Sequence, residues 1–235
     1  MTSSSNQESS KRVRVLVCDD SGFMRTAISR MIQSDPDLVV IDTAKDGVEA
    51  LEKATKLDPD VMTLDIEMPR MDGLTVLRKI MAAQPRPVIM LSSLTQDGAH
   101  ATIEALSMGA FDFIPKQSSF VSLDIVKIRE DLVAKIKAAA QTRRTIHKRV
   151  MPSPALAIAH KPTPFPAGAS PSVVALGVST GGPKALQEVL PALPADLPVG
   201  ILIVQHMPAA FTGPFAQRLN SLSKLEIKEA REDRG

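Results

Sequence analysis

One pattern runs through most of this chain: short apolar runs alternate with amphipathic segments of helical length. The alternation is typical of a parallel sheet with helices packed on both faces. It occurs five times between residues 12 and 140 and restarts after residue 171. We therefore predict a (βα)5 domain over residues 12–140 and a second α/β domain over residues 172–235.

The predicted strands of the first domain are 13–18, 38–42, 61–64, 88–91 and 111–114, and its predicted helices are 22–33, 47–57, 74–83, 98–108 and 122–140. In the second domain we predict strands at 173–178, 200–205 and 225–229, with helices at 183–190 and 211–222. Residues 141–171 are first basic and then rich in proline, which predicts a semi-rigid linker. The second domain has only three predicted strands, which indicates that it is the opening part of a larger α/β domain.

Composition excludes several classes of protein. The formal net charge is +2 and 23% of the residues are charged, so the bulk electrostatics predict no nucleic-acid partner. A single cysteine and a polar N-terminal segment without a secretory pattern indicate a reducing cytoplasm. No run approaches the roughly 20 apolar residues that span a bilayer, so we expect no direct membrane insertion.

Polar residues follow four strands of the predicted first sheet. Asp19 and Asp20 follow the first strand, and Asp65 ends the third. Ser92 ends the fourth strand and Lys116 follows the fifth. The carboxyl ends of parallel strands form the functional crevice of open α/β sheets, so we expect these five side chains to meet there.

Three carboxylates at one sheet edge repel one another unless a cation lies among them. Oxygen ligands without cysteine or histidine suit a hard ion, and we predict Mg²⁺. We assign Asp19, Asp20 and Asp65 to this metal site, with the backbone carbonyl of Glu67 completing it. Asp20 is the principal ligand in this assignment, and Asp19 supports it.

An aspartate can accept a phosphoryl group when a metal and a positive side chain neutralise the charge on the transferred oxygens. Asp65 is the best placed acceptor. Lys116 would contact the phosphoryl oxygens as a point charge, and the Ser92 hydroxyl would donate a hydrogen bond to one of them.

The segments CDD with Ser21, LDIEMPRMDGL, VIMLSSL and FDFIPK resemble bacterial two-component response-regulator receivers. The resemblance extends from Val13 to about Ala140 and implies a flavodoxin-like fold that a histidine kinase phosphorylates. Gln117 departs from the family, which usually has proline there and a cis peptide before it. The resemblance therefore does not fix the loop after Lys116.

The first strand of the second domain runs into Ser179, Thr180, Gly181 and Gly182, and Pro183 follows in the first turn of a helix. A serine in such a turn exposes its Oγ, and the backbone N–H groups of Thr180, Gly181 and Gly182 could stabilise an oxyanion. The same turn could instead hold a phosphate. On spacing alone, both functions remain open.

His206 favours acyl transfer, because it follows the next strand and a right-handed crossover brings it beside Ser179. The acidic group that would orient the imidazole is harder to find. Asp196 precedes a strand and so lies at the wrong end of the sheet, and Asp233 is close to the last residue.

The segments GVSTGGPKAL and VQHMP resemble the catalytic domain of chemotaxis protein-glutamate methylesterases, a Rossmann-like parallel-sheet hydrolase. The resemblance implies that Ser179 is the nucleophile and His206 the base. It implies methylated glutamates of chemoreceptors as substrate, glutamine deamidation as a second activity, no cofactor in the esterase domain, and an acidic triad member beyond Gly235.

Together the two motifs predict a hydrolase controlled by phosphorylation of Asp65. One alternative is a catalytically weak, truncated form that serves as a phosphoryl sink or binding module. Another is a response regulator with a nucleic-acid-binding output, but the second domain has no basic pair of helices to support it.

Overall fold

The computed structural model describes residues 12–116, 123–148 and 173–231. The first domain is a five-stranded parallel sheet with the strand order β2-β1-β3-β4-β5. Its strands are β1 (Val13–Cys18), β2 (Leu38–Ala44), β3 (Val61–Asp65), β4 (Val88–Ser93) and β5 (Asp112–Lys116). Its helices are α1 (Gly22–Gln33), α2 (Gly47–Leu57), α3 (Gly73–Ala83), α4 (Gln96–Ser107) and α5 (Leu123–Lys148).

Side-chain caps fix where the helices of this domain begin. Ser21 accepts a hydrogen bond from the first turn of α1, and Asp46 and Asp72 do the same for α2 and α3. Thr95 caps α4, which therefore starts at Gln96 rather than at residue 98 as predicted. Each cap satisfies an N–H group that has no partner inside its helix.

The central strands are buried on both faces, so alternate residues feed two apolar layers. Val15 and Val17 of β1 point to the layer formed with α1 and α5. Leu16 and Cys18 point to the opposite layer, formed with α2, α3 and α4. The two layers hold the sheet rigid and place the ends of its strands at one edge.

The second domain contains a two-stranded parallel sheet, β6 paired with β7. A helix and a short 3-10 turn follow the first of these strands, and a second helix follows the other. Its elements are β6 (Val173–Val178), α6 (Gly182–Val189), the 3-10 turn Leu190–Ala192, β7 (Gly200–Gln205) and α7 (Ala209–Leu222).

Two predicted elements differ most from the structure. Helix α5 continues to Lys148, beyond the predicted end at residue 140, because the intervening residues favour helix and Arg143 pairs with Asp58. No strand forms at 225–229, where the chain runs without a sheet partner. Here Ile227 donates its N–H to Asn220 Oδ1 at 2.8 Å.

The two domains share one apolar layer. Residues of α4, such as Ile103 and Leu106, belong to the same buried cluster as Leu186 of α6 and Phe215 of α7. Phe113 of β5 stacks on the fully buried Phe211, with ring centroids 4.6 Å apart and planes inclined by 28°. This contact brings the start of β5 beside the start of α7.

Polar contacts border the shared layer. Ser107, at the end of α4, donates to Gln187 Oε1 at 3.1 Å and accepts from Arg218 Nε at 2.9 Å. Both partners belong to the second domain, so α4 carries much of the contact between the domains. None of the helices in the described ranges is long and apolar enough to cross a membrane.

Candidate active sites

The acidic edge of the first sheet is assembled as predicted from residues far apart in sequence. One carboxylate oxygen from each of Asp19, Asp20 and Asp65 lies within 4.8 Å of the others. Asp19 and Asp65 are buried, whereas Asp20 is exposed to the cleft. A divalent cation fits this donor set, because hard cations prefer carboxylate oxygens and would neutralise the repulsion among them.

Lys116 supplies the positive charge at this edge. Its Nζ lies 2.6 Å from Asp65 Oδ2 and 2.8 Å from Asp19 Oδ2. Burial alone would lower the pKa of Lys116, but the hydrogen-bonded carboxylates of Asp19 and Asp65 raise it above its usual value. The lysine is therefore held as a cation against the predicted acceptor.

Burial raises the pKa of Asp65 to about 6, which the Lys116 ammonium opposes and the Asp19 carboxylate reinforces. Glu67 lines the same cleft, and its N–H lies 3.4 Å from Asp65 Oδ1. A Cβ at residue 73 would overlap the main-chain oxygen of Asp65, so Gly73 allows the loop to fold back over the acceptor.

Ser92 lies at the end of β4 as expected, but its hydroxyl is buried and directed toward α4. It hydrogen-bonds the carbonyl of Gly98 at 3.0 Å and the hydroxyl of Thr102 at 2.6 Å. Ser93, rather than Ser92, lines the cleft beside Asp65. In this state Ser92 connects the acidic edge to the helix that contacts the second domain.

The second site lies at the carboxyl ends of β6 and β7. Val178 and Gln205 are partners in the strand register, so Ser179 and His206 follow at the same level. The N–H of His206 donates to the carbonyl of Val178 at 3.1 Å. Both predicted catalytic residues line one cleft of about 270 Å³.

The turn after Ser179 defines which backbone amides can face that cleft. Gly181 has φ +73°, a left-handed conformation that favours glycine, and it caps α6. The N–H of Gly182 donates to the carbonyl of Ser179 at 2.8 Å. Of the three predicted oxyanion donors, Gly182 is therefore engaged in closing the turn, which leaves Thr180 and Gly181.

The first domain forms the opposite wall of this cleft, which no sequence pattern indicated. Asp112, Phe113 and Lys135 line it together with Ser179 and His206. Asp112 is buried, and its Oδ2 accepts the N–H of Gly181 at 2.9 Å. A carboxylate of the first domain thus binds one of the predicted oxyanion donors of the second domain.

Lys135 forms an ion pair with the Asp112 carboxylate. Its Nζ lies 3.5 Å from Asp112 Oδ1 and 3.1 Å from Asp131 Oδ2, and it donates to the carbonyl of Phe113 at 2.7 Å. Asp112 was detectable only as a polar residue in an otherwise apolar strand.

Of the residues considered for the acidic triad member, Asp196 precedes β7 as expected, and Asp233 lies outside the described residues.

Two family profiles match the chain: "Response regulator receiver domain" covers residues 15–126, and "CheB methylesterase" covers residues 174–234. With the acidic edge and the fold, they define a response regulator with an α/β output domain. The crystal structure of the response regulator domain of Thermotoga maritima CheB is 50% identical, with a TM-score of 0.51. It covers 56% of this chain, and the chain covers 98% of it. The chain belongs to the CheB family of response regulators.

Longer relatives resemble both domains. A "Protein-glutamate methylesterase/protein-glutamine glutaminase 1" of Oleidesulfovibrio alaskensis is 54% identical over 239 residues, which cover 93% of this chain and 65% of the relative. A similarly named protein of Symbiobacterium thermophilum is 50% identical over 228 residues, covering 93% of this chain and 63% of the relative. The chain thus spans less than two thirds of the length of these relatives.

Proposed function

We propose that this protein is a phosphorylation-regulated chemotaxis methylesterase that hydrolyses glutamate methyl esters on chemoreceptors and deamidates receptor glutamines. The observation that carries the proposal is the cleft in which Ser179 and His206 face a wall made by the receiver domain. Relatives at about half identity are named for these two activities, which supports the choice of substrate.

In the proposed reaction, Ser179 Oγ attacks the ester carbonyl while His206 accepts its proton. The oxyanion that forms is stabilised by backbone N–H groups of Thr180 and Gly181 at the start of α6. Methanol leaves with the proton from His206, and water then hydrolyses the acyl-enzyme by the same route. With glutamine as substrate, ammonia is the leaving group. No cofactor is needed for these steps.

The unphosphorylated receiver would restrain this chemistry in two ways. It narrows the cleft, because β5 and α5 residues face Ser179 across it. It also places the Asp112 carboxylate on the N–H of Gly181, one of the two candidate oxyanion donors. Substrate and this carboxylate cannot use the same amide, so activity requires the domains to separate or shift.

Phosphorylation of Asp65 would act on the interface through β4 and α4. Lys116 already contacts Asp65, and a phosphoryl group there would draw the Ser92 hydroxyl toward it. Ser92 would then lose its hydrogen bonds to Gly98 and Thr102 of α4. Because α4 packs against α6 and α7, we expect its movement to loosen the contact between the domains.

The proposed resident cation is Mg²⁺, held by Asp19, Asp20 and Asp65 with the carbonyl of Glu67, and when bound it would neutralise charge on the transferred phosphoryl oxygens. The phosphoryl donor would be a chemotaxis histidine kinase. We place the protein in the cytoplasm, where the kinase and the methylated receptor segments are accessible, and assign it no nucleic-acid partner.

The test is methanol release from methylated chemoreceptor by the full-length protein, with and without a small phosphoryl donor such as acetyl phosphate. We expect the donor to increase the rate, Asp65→Asn to remove the increase, and Ser179→Ala to abolish release. Retained methanol release by Ser179→Ala would refute the nucleophile. Phosphorylation of Asp65 without methanol release by the wild type would favour the alternative of a phosphoryl sink.

A further inference from the structure

Gln205 is a polar residue on a strand face that otherwise packs against apolar side chains. It ends β7, two residues after Ile203, which packs into the apolar layer beneath α6 and α7. Residues two apart in a strand share a face, so Gln205 points toward the same layer. Burying an amide costs free energy unless it is hydrogen-bonded, which means that this glutamine needs an explanation.

The amide joins the two catalytic turns. Gln205 Nε2 donates to the carbonyl of Ser179 at 3.2 Å and to the carbonyl of His206 at 3.1 Å. Its Oε1 is buried and accepts no hydrogen bond from the described residues. One side chain thus uses both of its donors to connect the nucleophile turn to the base turn, at the cost of an unpaired acceptor.

Gly182 provides the space for this amide. A Cβ at residue 182 would overlap Gln205 Oε1, and its next contact would be with Val178. Gly182 is not among the glycines with positive φ, whereas Gly181 is. The two adjacent glycines therefore serve different purposes: Gly181 for its backbone conformation and Gly182 for the space that Gln205 fills.

Fixing the carbonyl of Ser179 also fixes the direction of the next amide. The C=O of Ser179 and the N–H of Thr180 belong to one planar trans peptide and point in opposite directions. The carbonyl is held from one side by Gly182 N–H and Gln205 Nε2, so the N–H of Thr180 is directed the other way. In serine hydrolases with such a turn, the residue after the nucleophile donates to the oxyanion.

We propose that Gln205 is a positioning residue of the esterase, which orients the Thr180 amide and fixes the backbone of His206 relative to Ser179. The proposal rests on the proposed function, because it assigns Gln205 to the same reaction. A misplacement of about 1 Å in a catalytic group can cost about 100-fold in rate. We expect an effect of that order on turnover, with substrate binding little changed.

The experiment compares Gln205→Met, which keeps the size of the side chain but has no donor, with Gln205→Glu, whose carboxylate would face two carbonyl oxygens. Gln217→Met on the exposed face of α7 is the matched control. Two readouts are measured on the phosphorylated full-length protein: kcat and KM for methanol release, and the rate at which a fluorophosphonate labels Ser179. In the labelling reaction, Ser179 Oγ bonds to phosphorus, fluoride leaves, and the proton passes to His206.

The expected result is a roughly 100-fold lower kcat and labelling rate for Gln205→Met, a larger loss for Gln205→Glu, and near wild-type KM in Gln205→Met. Gln217→Met should match the wild type. Equal labelling rates for Gln205→Met and the wild type would overturn the proposal. A loss confined to KM would overturn it as well.

The labelling rate also separates this proposal from the proposed function. A wild type that is labelled at Ser179 but releases no methanol would refute the substrate, and a slower Gln205→Met would still support the positioning role. A wild type that neither reacts with the probe nor releases methanol would overturn both.

Discussion

Replacing Asp112 by asparagine is expected to raise the esterase activity of the unphosphorylated protein. The Asp112 carboxylate accepts the N–H of Gly181 at 2.9 Å across the domain interface, and its side chain is almost fully buried. Asparagine has the same shape but no charge and only one acceptor oxygen, whereas both Asp112 oxygens accept hydrogen bonds, Oδ2 from Gly181 and Oδ1 from the N–H of Phe113 at 2.8 Å. The substitution therefore tests the charged contact and leaves the packing of Phe113 on Phe211 in place.

The size of the effect follows from the nature of the bond. A hydrogen bond to a charged group contributes about 1.5–3 kcal/mol and a neutral one about 0.5–1.5 kcal/mol, so Asp112→Asn should weaken the closed arrangement by about 1–1.5 kcal/mol. A difference of this size is about tenfold in an equilibrium constant. If the closed arrangement predominates, the open population and the basal rate should each rise about tenfold.

The assay is methanol release by the full-length protein before and after treatment with acetyl phosphate. We expect a higher basal rate for Asp112→Asn and a correspondingly smaller stimulation by the phosphoryl donor. Asp42→Asn is the matched control, because Asp42 is also a strand aspartate paired with a lysine but lies in β2, at the opposite edge of the sheet. An unchanged basal rate with normal stimulation would show that the Asp112 charge does not hold the domains together.

Asp65→Asn should abolish phosphoryl uptake from acetyl phosphate, measured as the mass of the intact protein. Chelation of divalent cations should abolish uptake by the wild type. Uptake that survives both changes would contradict the acceptor assignment. The pKa of Asp65 is about 6 in the folded protein and 3.8 as a free side chain. Ionisation of Asp65 therefore lowers the free energy of unfolding, and this loss is complete above about pH 6. Asp65→Asn should thus stabilise the metal-free protein by up to about 3 kcal/mol near pH 8, measured by urea unfolding. The gain should shrink as the pH falls from about 6 to 4, and a gain independent of pH would refute this. Gly182→Ala should displace the Gln205 amide and reduce kcat as Gln205→Met does, so normal turnover in this variant would contradict the packing argument.

Local signals were enough to predict much of the fold. The bounds of α1, α2, β6 and β7 agree with the prediction, because capping residues, glycines and apolar runs mark them directly. The end of α5 was missed, since its last turns are held by the pairing of Arg143 with Asp58, a residue far away in sequence. The strand at 225–229 was wrong because an apolar alternation forms a strand only when another strand pairs with it.

By itself, the sequence determined the order of strands and helices and therefore the residues that end each strand. This is why Asp19, Asp65 and Lys116 could be brought together in advance: parallel strands place their carboxyl ends at one edge. It could not determine what lies opposite Ser179. The Asp112 carboxylate on Gly181 and the Gln205 amide between the catalytic turns depend on how separate elements pack, and only the tertiary structure decided those contacts.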